Sequence, residues 1–201
     1  MLKMPTIIKY FVLITALLSL STAMLTSSAP EFCAIISLSL RNFHYHQFLT
    51  ALFLLPREIF TFGFLVNLIF NLYIIASLGK DLLGRFGAIR FILLLLTLGL
   101  FSELAALGIM GLNIGYMHPF GANMAITIGI ITTWLILNFH ANLYLFHFIH
   151  IKASSALILI LCLTLFACLS PFDAINLAAY IVSALLGAIF AFIFKKNFFF
   201  P

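Results

Sequence analysis

The sequence predicts an all-α polytopic membrane protein: six transmembrane helices in one bundle, with a first loop embedded in the membrane. Three observations predict it. Hydrophobic residues make up 65% of the chain and charged residues only 7%. A soluble domain carries about 25% charged residues, so this chain could not solvate its own surface. Apolar stretches long enough to cross a hydrocarbon core of about 30 Å recur at roughly 7–28, 61–79, 91–111, 119–138, 153–170 and 174–194. Most of the 201 residues lie in these stretches, which leaves one transmembrane domain over 1–201 and no room for a soluble one.

The first span has a basic start, with Lys3 and Lys9, and ends in "TSSAP". That pattern also fits a signal peptide cleaved after Ala29. Its apolar stretch is long enough to span, however, and its loss would leave five helices with termini on opposite sides, so a retained helix is expected. The connection over 29–60, containing "QFLTALFLLPREIF", is too apolar for a solvated loop. Pro56, Arg57 and Glu58 interrupt it too often for a span, so it is expected to lie at the interface or re-enter the membrane.

In the second span Asn67 and Asn71 stand at i and i+4 and share a face. That face is expected to look into the bundle, where each interhelical hydrogen bond is worth about 0.6–2 kcal/mol. The "GKDLLGRFG" that follows reads as a tight basic turn in which Gly79, Gly84 and Gly87 break the helix. Glu103 is the one carboxyl well inside a span. A charge at the bilayer centre costs a few kcal/mol, so Glu103 is expected to be neutral, paired or facing water, and is a functional candidate on position alone. No second intramembrane acid or base accompanies it, which leaves a proton relay without its other half.

The fourth span opens with Gly121-Ala122-Asn123, a buried carboxamide beside a small residue. His44 and His46 lie on the first connection, and His140, His147 and His150 follow the fourth span. Neither group has the carboxylate or thiolate pattern of a metal site, so interfacial histidines, no metal and no cofactor are expected. Cys33, Cys162 and Cys168 show no metal spacing and read as small buried hydrophobes. In the last span Ala179, Ser183 and Gly187 recur every four residues, a small-residue stripe that lets helices approach closely.

The net charge of +5 could suggest nucleic acid, but the placement of the charges argues for topology. With an even number of spans both termini share a side. If that side is the cytosol, Lys3, Lys9, Lys80, Arg85, Arg90, Lys152, Lys195 and Lys196 fall inside and only Arg41 and Arg57 outside. Eight against two is the positive-inside bias. The lipid bilayer is the expected partner and nucleic acid is not.

These pieces, in this order, resemble the rhomboid superfamily over nearly the whole chain, which implies a rhomboid-like bundle. Rhomboid proteases carry His-xxx-Asn in the second span, then a glycine-rich basic turn. Here the frame reads Asn67-xxx-Asn71, Gly79-Lys80-Asp81-Leu82 and Arg85-Phe86-Gly87. Where the fourth span of a protease reads Gly-x-Ser-Gly, this chain reads Gly121-Ala122-Asn123-Met124, and the histidine of the sixth span is Tyr180. A carboxamide cannot be activated as a serine hydroxyl is by an adjacent base. The resemblance therefore implies a pseudoprotease, not an enzyme.

Among pseudoproteases the chain is similar to derlins, the six-span proteins of endoplasmic-reticulum-associated degradation. "MPTIIKY" is similar to their opening, "FGFLVNLIFN" to their phenylalanine-rich stretch, and "TIGIITTWLILN" keeps Thr127, Trp134 and Asn138 in register. Their Trp-Arg pair is replaced by His46-Gln47, their Leu-Glu by Leu82-Leu83, and their Gly-xxx-Gly by Ala179-xxx-Ser183. After "FKKNFFFP" no counterpart of the derlin tail that recruits the valosin-containing ATPase is expected.

A derlin-like role implies retrotranslocation of misfolded proteins, with those clients and membrane ubiquitin-ligase machinery as partners, in the endoplasmic reticulum membrane. Asn67, Asn71, Asn123 and Asn138 are then the candidate polar cavity. Two alternatives stand beside it: a bacterial inner-membrane rhomboid-family protein, and a small transporter that uses Glu103. Oligomeric state is open, homo-oligomers included.

Overall fold

The computed structural model describes residues 5–24, 46–55, 61–112, 121–145, 149–156, 158–159, 162 and 174–197. Its elements are α1 (Thr6–Met24), α2 (His46–Ala51), α3 (Phe62–Phe86), α4 (Ala88–Leu112), α5 (Asn123–Leu137), β1 (Asn142–Leu145), β2 (Ile149–Lys152) and α6 (Ala174–Asn197). Helices at Thr6–Met24, Phe62–Phe86, Ala88–Ile109 and Ile175–Phe194 are long and apolar enough to cross a bilayer, and Asn123–Leu137 is a shorter apolar helix. The protein is thus a polytopic helical membrane bundle. Of the expected fifth span, residues 153–156, 158–159 and 162 have helical backbone, and the rest lies outside the described residues.

Helix α3 starts at a cap: Thr61 Oγ1 accepts from the Phe64 N–H at 3.2 Å, which satisfies one of the amides that a helix start leaves unpaired. The expected break at Gly79 does not occur. The helix runs on through Gly79 and Gly84 and stops at Gly87, where φ reaches 78°. Only glycine adopts that conformation without strain. Gly79 has a different use, because a Cβ there would sit 3.2 Å from the Phe91 ring and 3.7 Å from Ile8 Cδ1. It lets α1 and α4 close on α3. Gly87 alone links α3 to α4.

Helix α5 is apolar all round, the pattern of a helix buried on every side, and it packs against α3, α4 and α6. Its 15 residues span about 22 Å at 1.5 Å per residue, less than the hydrocarbon thickness of about 30 Å. Its first turn therefore needs hydrogen-bond partners from the protein. The main core joins Ile8, Ile75, Phe91, Leu98, Ile126 and Ile130 across four helices. Lipid is as apolar as these side chains, so close fit rather than water expulsion holds them.

The connection between the fourth and fifth expected spans, whose form the sequence leaves open, is an antiparallel hairpin. Its register pairs Asn142 with Lys152 and Leu145 with Ile149, and the Ala153 N–H extends the ladder to the Ala141 carbonyl at 3.0 Å. Aromatic and β-branched residues favour strands, and pairing satisfies backbone groups where the chain leaves the bundle. Cys162 also departs from expectation, for it is exposed. Cys33 and Cys168 lie outside the described residues.

Candidate functional site

The N-terminal end of α5 is capped by main chain from the first connection. The Ala122 N–H donates to the Ala51 carbonyl at 2.8 Å and the Asn123 N–H to the Leu54 carbonyl at 3.2 Å. A β-carbon at Gly121 would collide with the Leu54 carbonyl oxygen, so glycine is what permits the approach. Residues 51, 52, 54 and 55 are buried, and the end of α2 with its exit is thus embedded in the bundle. Helix α1 braces it from the other side. The Ser19 hydroxyl donates to the Phe53 carbonyl at 3.2 Å and accepts from the Leu55 N–H at 3.3 Å.

Asn123 sits at the centre of this arrangement, fully buried. Its Nδ2 donates to the Leu52 carbonyl and approaches Thr15 Oγ1, each at 3.3 Å. A carbonyl only accepts, so the amide nitrogen, not the oxygen, must face Leu52. The Oδ1 atom is left with no partner among the described residues. One turn along, the Thr127 hydroxyl donates to Asn71 Oδ1 at 2.6 Å and lies 3.1 Å from the Asn123 carbonyl. Asn71 Nδ2 points at Met124 Sδ, 3.3 Å away. The result is a buried amide and hydroxyl node shared by α1, α3, α5 and the embedded segment.

The other expected members of the cavity fall elsewhere. Asn67 is half-buried one turn before Asn71 and has no partner among the described residues. Asn138 lies at the opposite end of α5, so the four asparagines do not form one cavity. It belongs to a separate ring. Arg85 Nη2 donates to Asn138 Oδ1 at 3.0 Å and pairs with Asp81 Oδ2 at 3.0 Å. Trp134 Nε1 donates to the same Asp81 oxygen at 2.6 Å, and Asn138 Nδ2 returns to the Trp134 carbonyl at 2.8 Å. The ring clamps the end of α3 to the end of α5. Glu103 is fully buried on α4, and neither carboxyl oxygen has a partner among the described residues.

The stripe on α6 meets α5. The Ser183 hydroxyl donates to the Ala125 carbonyl at 2.6 Å, and Thr133 Oγ1 lies 3.1 Å from the Gly187 carbonyl. A β-carbon on Gly187 would stand 2.5 Å from the Gly129 carbonyl oxygen. Ala179 is fully buried on the same face, and Tyr180 is half-buried beside it.

Thr15, Ser19 and the Leu52 carbonyl are members of the site that the sequence pattern does not single out. Thr15 and Ser19 stand at i and i+4, the same polar spacing that marks Asn67 and Asn71, and that signal could have found them. A main-chain acceptor such as Leu52 leaves no signature in sequence.

A helical membrane bundle with an embedded first segment, a glycine at the entry of a short central helix and small residues between that helix and the last defines the class. The comparison with known families then narrows it. The rhomboid domain model matches residues 43–197, and the chain belongs to the rhomboid family. Helix α1 precedes the matched region, yet its Thr15 and Ser19 complete the node. No curated protein matches the chain.

Proposed function

We propose that this rhomboid-family protein is a pseudoprotease that acts, like derlins, as a membrane adaptor in the retrotranslocation and degradation of misfolded proteins of the endoplasmic reticulum. Its partners on this reading are those clients and a membrane ubiquitin ligase, and both termini are cytosolic. One observation carries the first half. The residue in the register of the family nucleophile, Asn123, is a fully buried carboxamide bound to Leu52 and Thr15. It offers no nucleophile, and its partners among the described residues include no base that could activate one. Two of the amides at the start of α5, those of Ala122 and Asn123, which could otherwise polarise a carbonyl, already donate to Ala51 and Leu54.

The adaptor half rests on the resemblance to derlins and on a physical argument. A short central helix within a family of thin bundles favours local thinning of the bilayer. Thinning lowers the cost of moving a polar chain across. Reconstituted protein is expected not to cleave a transmembrane substrate, and Asn123→Ser is expected not to restore cleavage. In cells, loss of the protein should slow the decay of misfolded membrane clients in a translation-shutoff chase. Cleavage by the wild type that disappears in Asn123→Ala would overturn the pseudoprotease reading. Unchanged client decay would overturn the adaptor reading alone.

Glu103 favours a second reading, a small transporter, because a buried carboxyl without a described partner is costly unless something uses it. Ion or proton flux in liposomes that Glu103→Gln abolishes would support it.

A further inference from the structure

We propose that the cleft between α1 and α4 holds part of an acyl chain of a membrane phospholipid, and that this chain steadies the embedded segment over Asn123. The cleft has a volume of about 200 Å³. Phe11 and Ile14 form the α1 wall, Ile92 and Leu96 the α4 wall, and Leu52 and Ile126 the floor. Ile14, Ile92 and Leu96 are 40%, 40% and 37% exposed, so the cleft opens sideways from two membrane-crossing helices rather than toward water.

Its occupant follows from lining, size and surroundings. A cavity of about 150 Å³ lined by Leu, Ile and Phe stays dry and takes up hydrocarbon, so water is excluded here. Left empty, the walls would lose their dispersion contacts on one side. A transmembrane helix of about 10–12 Å diameter is too wide to enter. The surrounding medium is hydrocarbon chain, narrow and flexible enough to follow the cleft. Because Leu52 forms the floor and its carbonyl takes the Asn123 amide, a chain in the cleft packs directly against the piece of backbone that seals position 123. This inference does not depend on the adaptor reading.

The test uses the full chain purified in mild detergent and a phosphatidylcholine with palmitoyl and oleoyl chains. Native mass spectrometry should find one retained phospholipid per chain, and added lipid should raise the unfolding temperature to a plateau. Ile92→Phe with Leu96→Phe fills the cleft from α4, and Ile14→Trp fills it from α1, so one remains informative if the other fails to fold. Either filled variant should bind the lipid about tenfold more weakly and melt without a lipid response. Ile69→Phe, on the 66% exposed face of α3, should behave as wild type. The proposal is overturned if the wild type retains no lipid, if filled variants retain it equally, or if Ile69→Phe loses it to the same extent.

Discussion

The Trp134 indole N–H donates to the Asp81 carboxylate at 2.6 Å and so ties the last turn of α5 to the last turns of α3. Hydrogen bonds to charged groups contribute about 1.5–3 kcal/mol. Asp81 is partly open to solvent, and water can replace part of what is lost. Trp134→Phe should therefore lower stability by about 1 kcal/mol. Arg85→Gln removes a half-exposed ion pair and should cost about 0–1 kcal/mol. Denaturant titration in detergent ranks the two. A larger loss for Arg85→Gln would show that the ion pair, not the indole, clamps these ends.

Asn71 and Thr127 should behave as a coupled pair. Thr127 has one proton and two nearby acceptors, Asn71 Oδ1 at 2.6 Å and the Asn123 carbonyl at 3.1 Å. When Asn71 is removed, the hydroxyl can turn back to its own helix, which limits the damage. A double-mutant cycle of Asn71→Leu and Thr127→Val should give a coupling of about 0.6–1.7 kcal/mol, between the mean and the maximum of such couplings inside membranes. Asn71→Leu should also reduce steady-state abundance before it alters any activity measured per molecule. Normal abundance with blocked client decay would assign Asn71 to a working cavity instead.

Two glycines should respond to alanine with opposite signs. Gly187→Ala drives a methyl to 2.5 Å from the Gly129 carbonyl oxygen, and overpacking of this kind costs about 1–3 kcal/mol. Gly84 lies within α3, and a β-carbon added there would meet nothing within 4 Å. Gly84→Ala should stabilise by about 0.5–1 kcal/mol through helix propensity. Thermal unfolding of the two purified variants checks both signs.

Reporters fused to each terminus should both read as cytosolic, given the distribution of Lys and Arg. A reporter at the N-terminus that reads as lumenal would revive the signal-peptide reading of the first span.

Much of the fold was legible because hydrocarbon permits few solutions. Long apolar stretches had to be helices, and the i, i+4 pair that contains Asn71 had to turn at least one amide inward. The errors arose where hydropathy stops being informative. Hydropathy ends the second span at Gly79 because Lys80 and Asp81 follow it; the helix continues beyond that point and uses Asp81 and Arg85 to grip α5. Asn138 falls in the wrong group although the span over 119–138 already separates it from Asn123 by about 22 Å, at 1.5 Å per helical residue. The hairpin after α5 escapes notice because hydropathy marks residues 139–152 as a connection between two spans and says nothing of its conformation.

The main-chain cap on α5 also has a consequence for the order of events during synthesis. Leu52 and Asn123 are 71 residues apart, so the carbonyls of residues 51, 52 and 54 emerge from the ribosome well before their donors exist. The Ala51 carbonyl already takes the Leu54 N–H at 3.2 Å, but until α5 arrives those of Leu52 and Leu54 would be unpaired inside hydrocarbon, which the bilayer does not tolerate. The segment must wait in the headgroup region, held near α1 by Ser19, and sink only when the central helix is delivered. Its entry thus follows the delivery of α5, and a chain arrested before residue 121 should leave this segment open to water-soluble labelling reagents.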